Sequence, residues 1–207
     1  MTSYYSLYKE ALQKSLGDTQ VTDDSGNFLE QQQAIEHLCA FSLHISRNSK
    51  KQYLIGNGAS MAFSDHMAVD WSKNGKVPTH AFSSPSLLTA LGNDIGIDQL
   101  FASAINTYAN HDDMLVAISS SGNSKNIIEA IGSAREKKMR VVTFSGLKPD
   151  NQLRKMGDLN FYVPAKTYGI VECAHQLLLH MWLDHYMGIT EWDREHFQNM
   201  SNDNFSF

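Results

Sequence analysis

The order of apolar and polar positions along the chain predicts short strands separated by helices. Apolar residues recur with the helical period of three to four over 3–17, 29–46, 59–73, 99–109, 124–137 and 168–187. Short, mostly apolar runs bounded by turn residues predict strands at 52–55, 79–82, 114–118, 140–144 and 159–163. Shorter helical stretches are expected at 87–91 and 150–156, and the polar segments 19–28 and 92–94 are expected to be loops.

Strands that alternate with helices indicate an α/β fold. We expect a doubly wound, mainly parallel five-stranded sheet flanked by helices. The two helices that precede the first strand predict an N-terminal helical hairpin over residues 1–49, which packs on the core or on a neighbouring subunit. The main domain then spans 50–188, and residues 189–207 form a polar tail rich in Asn, Asp and Ser.

Composition narrows the range of partners. The chain has 207 residues, 42% of them hydrophobic, which suits one domain with a sizeable core. Its formal net charge is -5 and its 17 Lys and Arg residues are scattered, so neither nucleic acid nor an acidic membrane is an expected partner. No apolar run approaches the ~20 residues of a membrane span, and the N-terminus has no signal-peptide pattern. We therefore expect a cytoplasmic protein.

The loop at residues 119–124, with the sequence Ser-Ser-Ser-Gly-Asn-Ser, is a candidate phosphate site. It connects a predicted strand to the start of a helix, where hydroxyls and free N–H groups donate to phosphate oxygens and the helix dipole favours an anion. The alternative is an ordinary capped turn, because Ser and Asn are common helix caps. No Gly-Lys-Ser/Thr sequence follows, so a nucleotide triphosphate is disfavoured.

The motifs in their order along the chain resemble a known family. They are the stretch 115–124, the sequence Gly-Asn-Gly-Ala-Ser at 56–60, Gly-Asn-Asp at 92–94, Ala-Arg-Glu-Lys at 134–137, and the last long helix with its Glu, His and Asp residues. Over about residues 30–188 the chain is similar to SIS (sugar isomerase) domains. It resembles more narrowly the phosphoheptose isomerases, which convert sedoheptulose 7-phosphate to a heptose 7-phosphate.

Acid and base candidates lie on two predicted helices. His66 and Asp70 are spaced i,i+4 and share one helix face, where they are either part of a site or a surface ion pair. The resemblance implies that Asp70 is the catalytic base and His180 its acid partner. It also implies a zinc ion bound by His66, Asp70, Glu172 and His180, a chemically suitable ligand set.

The spacing of Glu172 and His180 constrains that zinc site. Eight residues separate the two along the last helix, about 12 Å in regular helical geometry. One ion binds both only if Glu172 precedes the regular helix or if the two ligands come from different subunits. The resemblance implies active sites at subunit interfaces, and we expect a homotetramer.

The resemblance also implies a substrate-binding set, with some departures from the family pattern. Residues expected to contact the phosphosugar are Asn57, Ser60, Asp94, Ser119, Ser120, Ser121, Ser124 and Glu172. Asp70 stands where the family has Glu, which shortens the base by one methylene, and Glu172 stands where it has Gln. Gly169 and Ile170 replace an Asp-Arg pair, while Ala59 for Gly and Ser120 for Thr are milder changes.

Three functions remain open at this stage. The leading hypothesis is an aldose–ketose isomerase acting on sedoheptulose 7-phosphate, for the heptose of a surface polysaccharide. The second is a non-catalytic SIS-domain protein that senses a phosphosugar or binds a protein partner, which the change of the base to Asp70 favours and the retained His66 and His180 disfavour. The third is an isomerase for another phosphosugar, such as a ketohexose 6-phosphate.

Overall fold

The computed structural model describes residues 3–190, so nearly all of the tail predicted at 189–207 lies outside the described residues. The strands are β1 Gln20–Asp23, β2 Phe28–Leu29, β3 Gln52–Ile55, β4 Thr79–Ala81, β5 Met114–Ser119, β6 Arg140–Gly146 and β7 Leu159–Val163. The helices are α1 Tyr4–Gly17, α2 Gln31–Arg47, α3 Ala59–Lys73, α4 Pro85–Asp94, α5 Leu100–Tyr108, α6 Lys125–Glu136 and α7 Tyr168–Tyr186. Two short 3₁₀ helices lie at Ile97–Gln99 and Gln152–Lys155.

The strands form one sheet in the order β2-β1-β7-β6-β5-β3-β4. The five strands β4, β3, β5, β6 and β7 are parallel neighbours, which confirms the predicted doubly wound α/β fold. From β3 the chain first moves outward to β4 and then returns to β5 on the other side. The order therefore reverses between β3 and β5, the position where such sheets bind their ligands.

The structure contradicts two of the loop predictions, the first of them in part. Segment 19–28 contains β1 and the first residue of β2, an antiparallel hairpin in which Val21 lies opposite Leu29, while residues 19 and 24–27 lie outside the strands. β1 also pairs antiparallel with β7, Val21 opposite Phe161, so the sheet has seven strands rather than five. These strands are too short to carry a clear period of their own, and pairing with the sheet stabilises them. Segment 92–94 is the last turn of α4, which continues to Asp94.

The core lies on both faces of the sheet. Every residue of β5 is buried, as expected for a central parallel strand covered on both sides. Val116 and Ile118 face one cluster, in which Trp71 of α3 packs on Trp182 of α7 with ring centroids 4.6 Å apart. Leu115 faces the other cluster, formed with α5 and α6. Because the two faces are filled, the helices that begin at the carboxyl edge of the sheet are held in fixed positions.

The two N-terminal helices both pack on α7. They are joined by the β1–β2 hairpin, and the side-chain amide of Gln31 at the start of α2 donates to the carbonyls of Gly17 and Thr19, both at 2.8 Å. The bond to Gly17 satisfies a carbonyl at the end of α1 that lacks a partner within the helix. In the described part of the chain, no helix has the length and apolar character needed to cross a membrane.

Candidate active site

Two loops meet where the strand order reverses. β3 leads through Gly56 and Asn57 into α3, and β5 leads through the serine loop, residues 119–124, into α6. Since β3 and β5 are parallel neighbours, both loops lie at the same edge of the sheet. The side chains of Asn57 and Asn126 connect them: each amide nitrogen donates to the other's oxygen at 2.9 Å. The side-chain amide of Asn57, a predicted binding residue, is therefore hydrogen-bonded to that of Asn126 in α6.

No local signal in the sequence points to Asn126. A polar residue in the first turn of a helix is common, and only the packing shows that this one is buried, at 7% exposure. Its position becomes informative once β3 and β5 are known to be neighbours. The reciprocal amide pair then fixes the distance between the starts of α3 and α6.

The serine loop concentrates hydroxyl groups at the start of α6. Ser119 Oγ lies 3.0 Å from Ser124 Oγ and 3.4 Å from Ser121 Oγ. The hydroxyl of Ser120 is buried and has no hydrogen-bond partner among the described residues. Several hydroxyl donors beside a helix N-terminus suit an anion with several acceptor oxygens, as a phosphate group has.

Ser60 lies beneath the other loop, in the first turn of α3. It is only 4% exposed, because the backbone of Gly56 packs directly on it. A Cβ at Gly56 would lie 2.5 Å from the Cβ of Ser60, so only glycine fits there. The structure therefore places the predicted binding residue Ser60 at this edge but largely enclosed by its own loop.

Asp94 is the last residue of α4 and is exposed. The segment after it is tied to the serine loop by an ion pair of 2.7 Å between Asp98 and Lys125, the residue that follows Ser124. Asp94 thus stands close in sequence to a residue that contacts the start of α6. Its carboxylate accepts a hydrogen bond from the neighbouring Asn93 at 2.9 Å.

The acid–base candidates form a cluster between α3 and α7. His66 Nε2 lies 3.2 Å from Asp70 Oδ2 on α3, and the rings of His66 and His180 meet edge to face with centroids 5.3 Å apart. One ligand atom from each of His66, Asp70 and His180 falls within 4.8 Å of the others. We call these three residues the His–Asp cluster. They combine two imidazoles and one carboxylate, a set suited to proton transfer or to metal binding.

Asp184 is a further charged neighbour of the His–Asp cluster. It follows His180 by one turn of α7. Burial raises the pKa of the Asp184 carboxyl, nearby Asp70 adds to that rise, and His180 opposes it. The negative charge of Asp184 is therefore disfavoured at this position, and positive charge in the cluster would stabilise it.

Glu172 does not join the His–Asp cluster within one chain. It lies inside α7, which is helical from Tyr168 to Tyr186, so the possibility that it precedes the regular helix is excluded. About 12 Å of helix separates it from His180. Of the two arrangements that let one ion bind both residues, only ligands from different subunits remain.

Asp70 and His180 lie several helical turns from the carboxyl edge of the sheet, where the serine loop is. α3 and α7 both begin at the carboxyl edge of the sheet, and Asp70 and His180 lie about 16 and 18 Å along their helices, at 1.5 Å per residue. An extended seven-carbon phosphosugar spans only about 10 Å, given bond lengths near 1.5 Å. By helical rise, Asp70 and His180 therefore lie farther from the carboxyl edge than one such sugar reaches.

The fold and a family match define the class of protein. A family model described as a SIS domain matches residues 23–146, which run from the end of β1 to the end of β6. The matched range includes both loops at the point where the strand order reverses. The chain is a member of the SIS domain family, and within it belongs with the phosphoheptose isomerases on the similarities that follow.

Individual relatives cover most of the chain. The phosphoheptose isomerase of Sulfurimonas denitrificans is 31% identical over 187 residues, which are 85% of this chain and 91% of the relative. That of Campylobacter concisus is 35% identical over 153 residues, 71% of this chain and 80% of the relative. The solved structure of a phosphoheptose isomerase from Neisseria gonorrhoeae superposes with a TM-score of 0.76 at 27% identity, covering 88% of this chain and 95% of that one.

Proposed function

We propose that this chain is an aldose–ketose isomerase that converts sedoheptulose 7-phosphate to a heptose 7-phosphate through an enediol, for the heptose of a surface polysaccharide. The relatives named phosphoheptose isomerase support the reaction class. The observation that carries the proposal is the His–Asp cluster, because isomerisation needs a base and an acid side by side.

The serine loop binds the phosphate in this proposal. Ser119, Ser121 and Ser124 donate their hydroxyls to its oxygens, exchanging their contacts with each other for contacts with the anion. The buried hydroxyl of Ser120 has no protein partner to lose among the described residues. At the same edge of the sheet, Asn57 and Ser60 assist the phosphate end, while Asp94 and Glu172 are assigned to the sugar.

Asp70 and His180 move the protons. The Asp70 carboxylate takes a proton from C1 of the ketose while His180 donates one to the oxygen on C2, which gives the enediol. Asp70 then returns its proton to C2, and His180 recovers one from the oxygen on C1 as the aldehyde forms. Both residues end the cycle in the state in which they began it. The 3.2 Å contact with His66 orients the Asp70 carboxylate.

The donor set also fits zinc. Two imidazoles and one carboxylate within 4.8 Å of one another are ligands that zinc accepts, and a fourth protein ligand leaves room for a substrate oxygen when the coordination expands to five. In this proposal His66, Asp70 and His180 would hold the ion, and Glu172 would join them from another subunit. Bound zinc would act as a Lewis acid towards the substrate's oxygens.

The proposal includes assembly into a homotetramer in the cytoplasm, with active sites between subunits. The separation of the serine loop from the His–Asp cluster supports sites that combine two chains. The regular helix around Glu172 supports them as well. A single chain would then bind phosphate without completing the reaction site.

The test is to incubate the purified protein with sedoheptulose 7-phosphate, with and without added zinc, and to measure the aldose product. His180→Ala is the matched variant, expected to bind the substrate without turnover. Absence of product from the unaltered protein under both conditions would refute the proposal. Substrate binding without turnover in either protein would instead support the non-catalytic alternative, and product from a ketohexose 6-phosphate alone would support the third.

A further inference from the structure

Asn151 lies beside the serine loop, and none of the roles above uses it. It stands between β6 and the 3₁₀ helix Gln152–Lys155, and it is only 1% exposed. Its side-chain oxygen accepts a hydrogen bond from the N–H of Arg154 at 3.3 Å, which caps the short helix. The capping oxygen also lies against the turn at Gly122, and the amide nitrogen makes contacts elsewhere.

The side chain of Asn151 packs against Gly122 of the serine loop. Gly122 has a φ of +65°, in the left-handed region that favours glycine. A Cβ at this position would collide with Oδ1 and Cγ of Asn151 and would lie 2.7 Å from its Cβ. The N–H of Leu153 also donates to the carbonyl of Gly122 at 3.1 Å. Residues 151–153 therefore fix the conformation of the loop at its turn.

The amide nitrogen of Asn151 links the same loop to the end of β6. It donates to the carbonyl of Gly146 at 3.2 Å and to that of Lys148 at 2.8 Å. The N–H of Gly146 in turn donates to the carbonyl of Ser120 at 3.1 Å. One buried side chain thus connects to the loop on both sides of Ser121, through Gly122 and through Gly146.

We propose that Asn151 is a positioning residue for phosphate binding. By packing on Gly122 and bonding the end of β6, it holds the serine hydroxyls and the start of α6 in the arrangement that receives a phosphate group. The inference rests on the proposed function, since it takes the serine loop as the phosphate site. Asn151 acts through the loop backbone, so its loss weakens binding of every phosphorylated ligand alike and leaves the chemistry at saturation unchanged.

Two variants separate this role from helix capping. Asn151→Ser keeps Cβ and a hydroxyl acceptor for Arg154 but loses Oδ1, the atom nearest a Cβ at Gly122, and the donor to the two carbonyls. Asn151→Asp keeps the size of the side chain but turns a carboxylate oxygen towards those carbonyls.

A matched control removes a buried amide elsewhere. Gln52→Ser serves, because Gln52 is fully buried and its amide bonds only Ser42 and Thr79 in the described structure. It stands at the amino end of β3, at the opposite edge of the sheet from the serine loop. Its loss destabilises the fold without touching the phosphate site.

The measurements are calorimetric Kd values for inorganic phosphate and for sedoheptulose 7-phosphate, together with kcat, KM and the thermal midpoint. We expect Asn151→Ser to raise both Kd values and KM by about tenfold and to leave kcat within about twofold. Asn151→Asp should raise them further. Gln52→Ser should lower the midpoint at least as much as Asn151→Ser while both Kd values stay unchanged.

Two results would overturn the inference: wild-type phosphate affinity in Asn151→Ser, or an equal loss of affinity in Gln52→Ser. The first result would mean that Asn151 only caps the short helix. The second would mean that the loss of phosphate affinity comes from general destabilisation of the fold. If the unaltered protein binds phosphate but does not isomerise the sugar, the proposed function fails, and the Kd comparison still decides the role of Asn151.

Discussion

The buried imidazole of His175 makes the stability of this fold depend on pH. His175 is fully buried on α7, where its Nε2 donates to the carbonyl of Ser145 at 3.0 Å. Its Nδ1 has no hydrogen-bond partner among the described residues. Burial lowers the pKa of His175 to about 4, and the bond to Ser145 only partly opposes that. The folded protein therefore keeps this ring neutral in mildly acidic solution.

Comparing the folded and unfolded chains gives the direction and the size of this pH dependence. In the unfolded chain His175 takes up a proton near its ordinary pKa of 6.5, whereas the folded chain resists protonation down to about pH 4. Between these values the unfolded state binds more protons, so the free energy of unfolding falls as the pH falls. The loss due to His175 is about 1.4 kcal/mol at pH 5.5 and about 3 kcal/mol at pH 4.

Urea unfolding at pH 7 and pH 5.5, at fixed protein concentration, measures this loss. His175→Gln is the matched variant, because its amide retains an N–H donor for Ser145 but does not titrate. Carboxyl groups titrate in both proteins, so the difference between them isolates the imidazole. We expect the unaltered protein to lose about 1.2 kcal/mol more than the variant between the two pH values. Parallel pH profiles would show that burial does not hold His175 neutral.

Three further perturbations test the site. His180→Ala should lower kcat by at least about 100-fold with Kd for inorganic phosphate unchanged in calorimetry, and a changed Kd would contradict the separation of the His–Asp cluster from the serine loop. Gly122→Ala should lower the free energy of unfolding by about 2–4 kcal/mol in urea, because of its positive φ and the collision with Asn151. A loss below about 1 kcal/mol would mean that this turn relaxes freely. His66→Ala should weaken zinc binding at least about tenfold in competition with a chelating dye, whereas an equal effect of the exposed His185→Ala would point to nonspecific binding.

Most helices and strands can be predicted from the local pattern of apolar residues. The exceptions depend on contacts with segments elsewhere in the fold. α3 occupies the residues that its apolar period predicts, and β5 differs by one residue at its end. β1 is missed because Gln20–Asp23 carries no strand pattern, and it exists through its pairing with β7. α4 continues through Gly92 to Asp94 although glycine is a poor helix former, so the neighbouring segments stabilise its last turn.

Some features of the candidate site can be predicted from local sequence, and others depend on tertiary packing. The serine loop is visible in the sequence because its residues are contiguous between a strand and a helix. His66 and Asp70 are predicted to share a face by their spacing, and the structure gives their 3.2 Å contact. Nothing local brings His180 to them, since that requires α3 to pack on α7. The roles of Asn126 and Asn151 cannot be predicted from the sequence for the same reason, because each contacts a segment that is distant in sequence.

Glu172 links the proposed zinc site to the proposed assembly of the chain. Asp70 with two neutral imidazoles would leave a bound zinc ion with a net charge of about +1, and a carboxylate at 172 would neutralise it where a glutamine would not. Because α7 is regular, that carboxylate would reach the proposed ion only from a second copy of the chain.

A mixing experiment tests this arrangement. Chains carrying His66→Ala and chains carrying Glu172→Ala should each be inactive alone. Mixed in equal amounts and reassembled, they should regain about a quarter of full activity, since a site needs an intact cluster from one chain type and an intact Glu172 from the other. A mixture that stays inactive would place both residues in the site of a single chain, which the 12 Å helical spacing argues against.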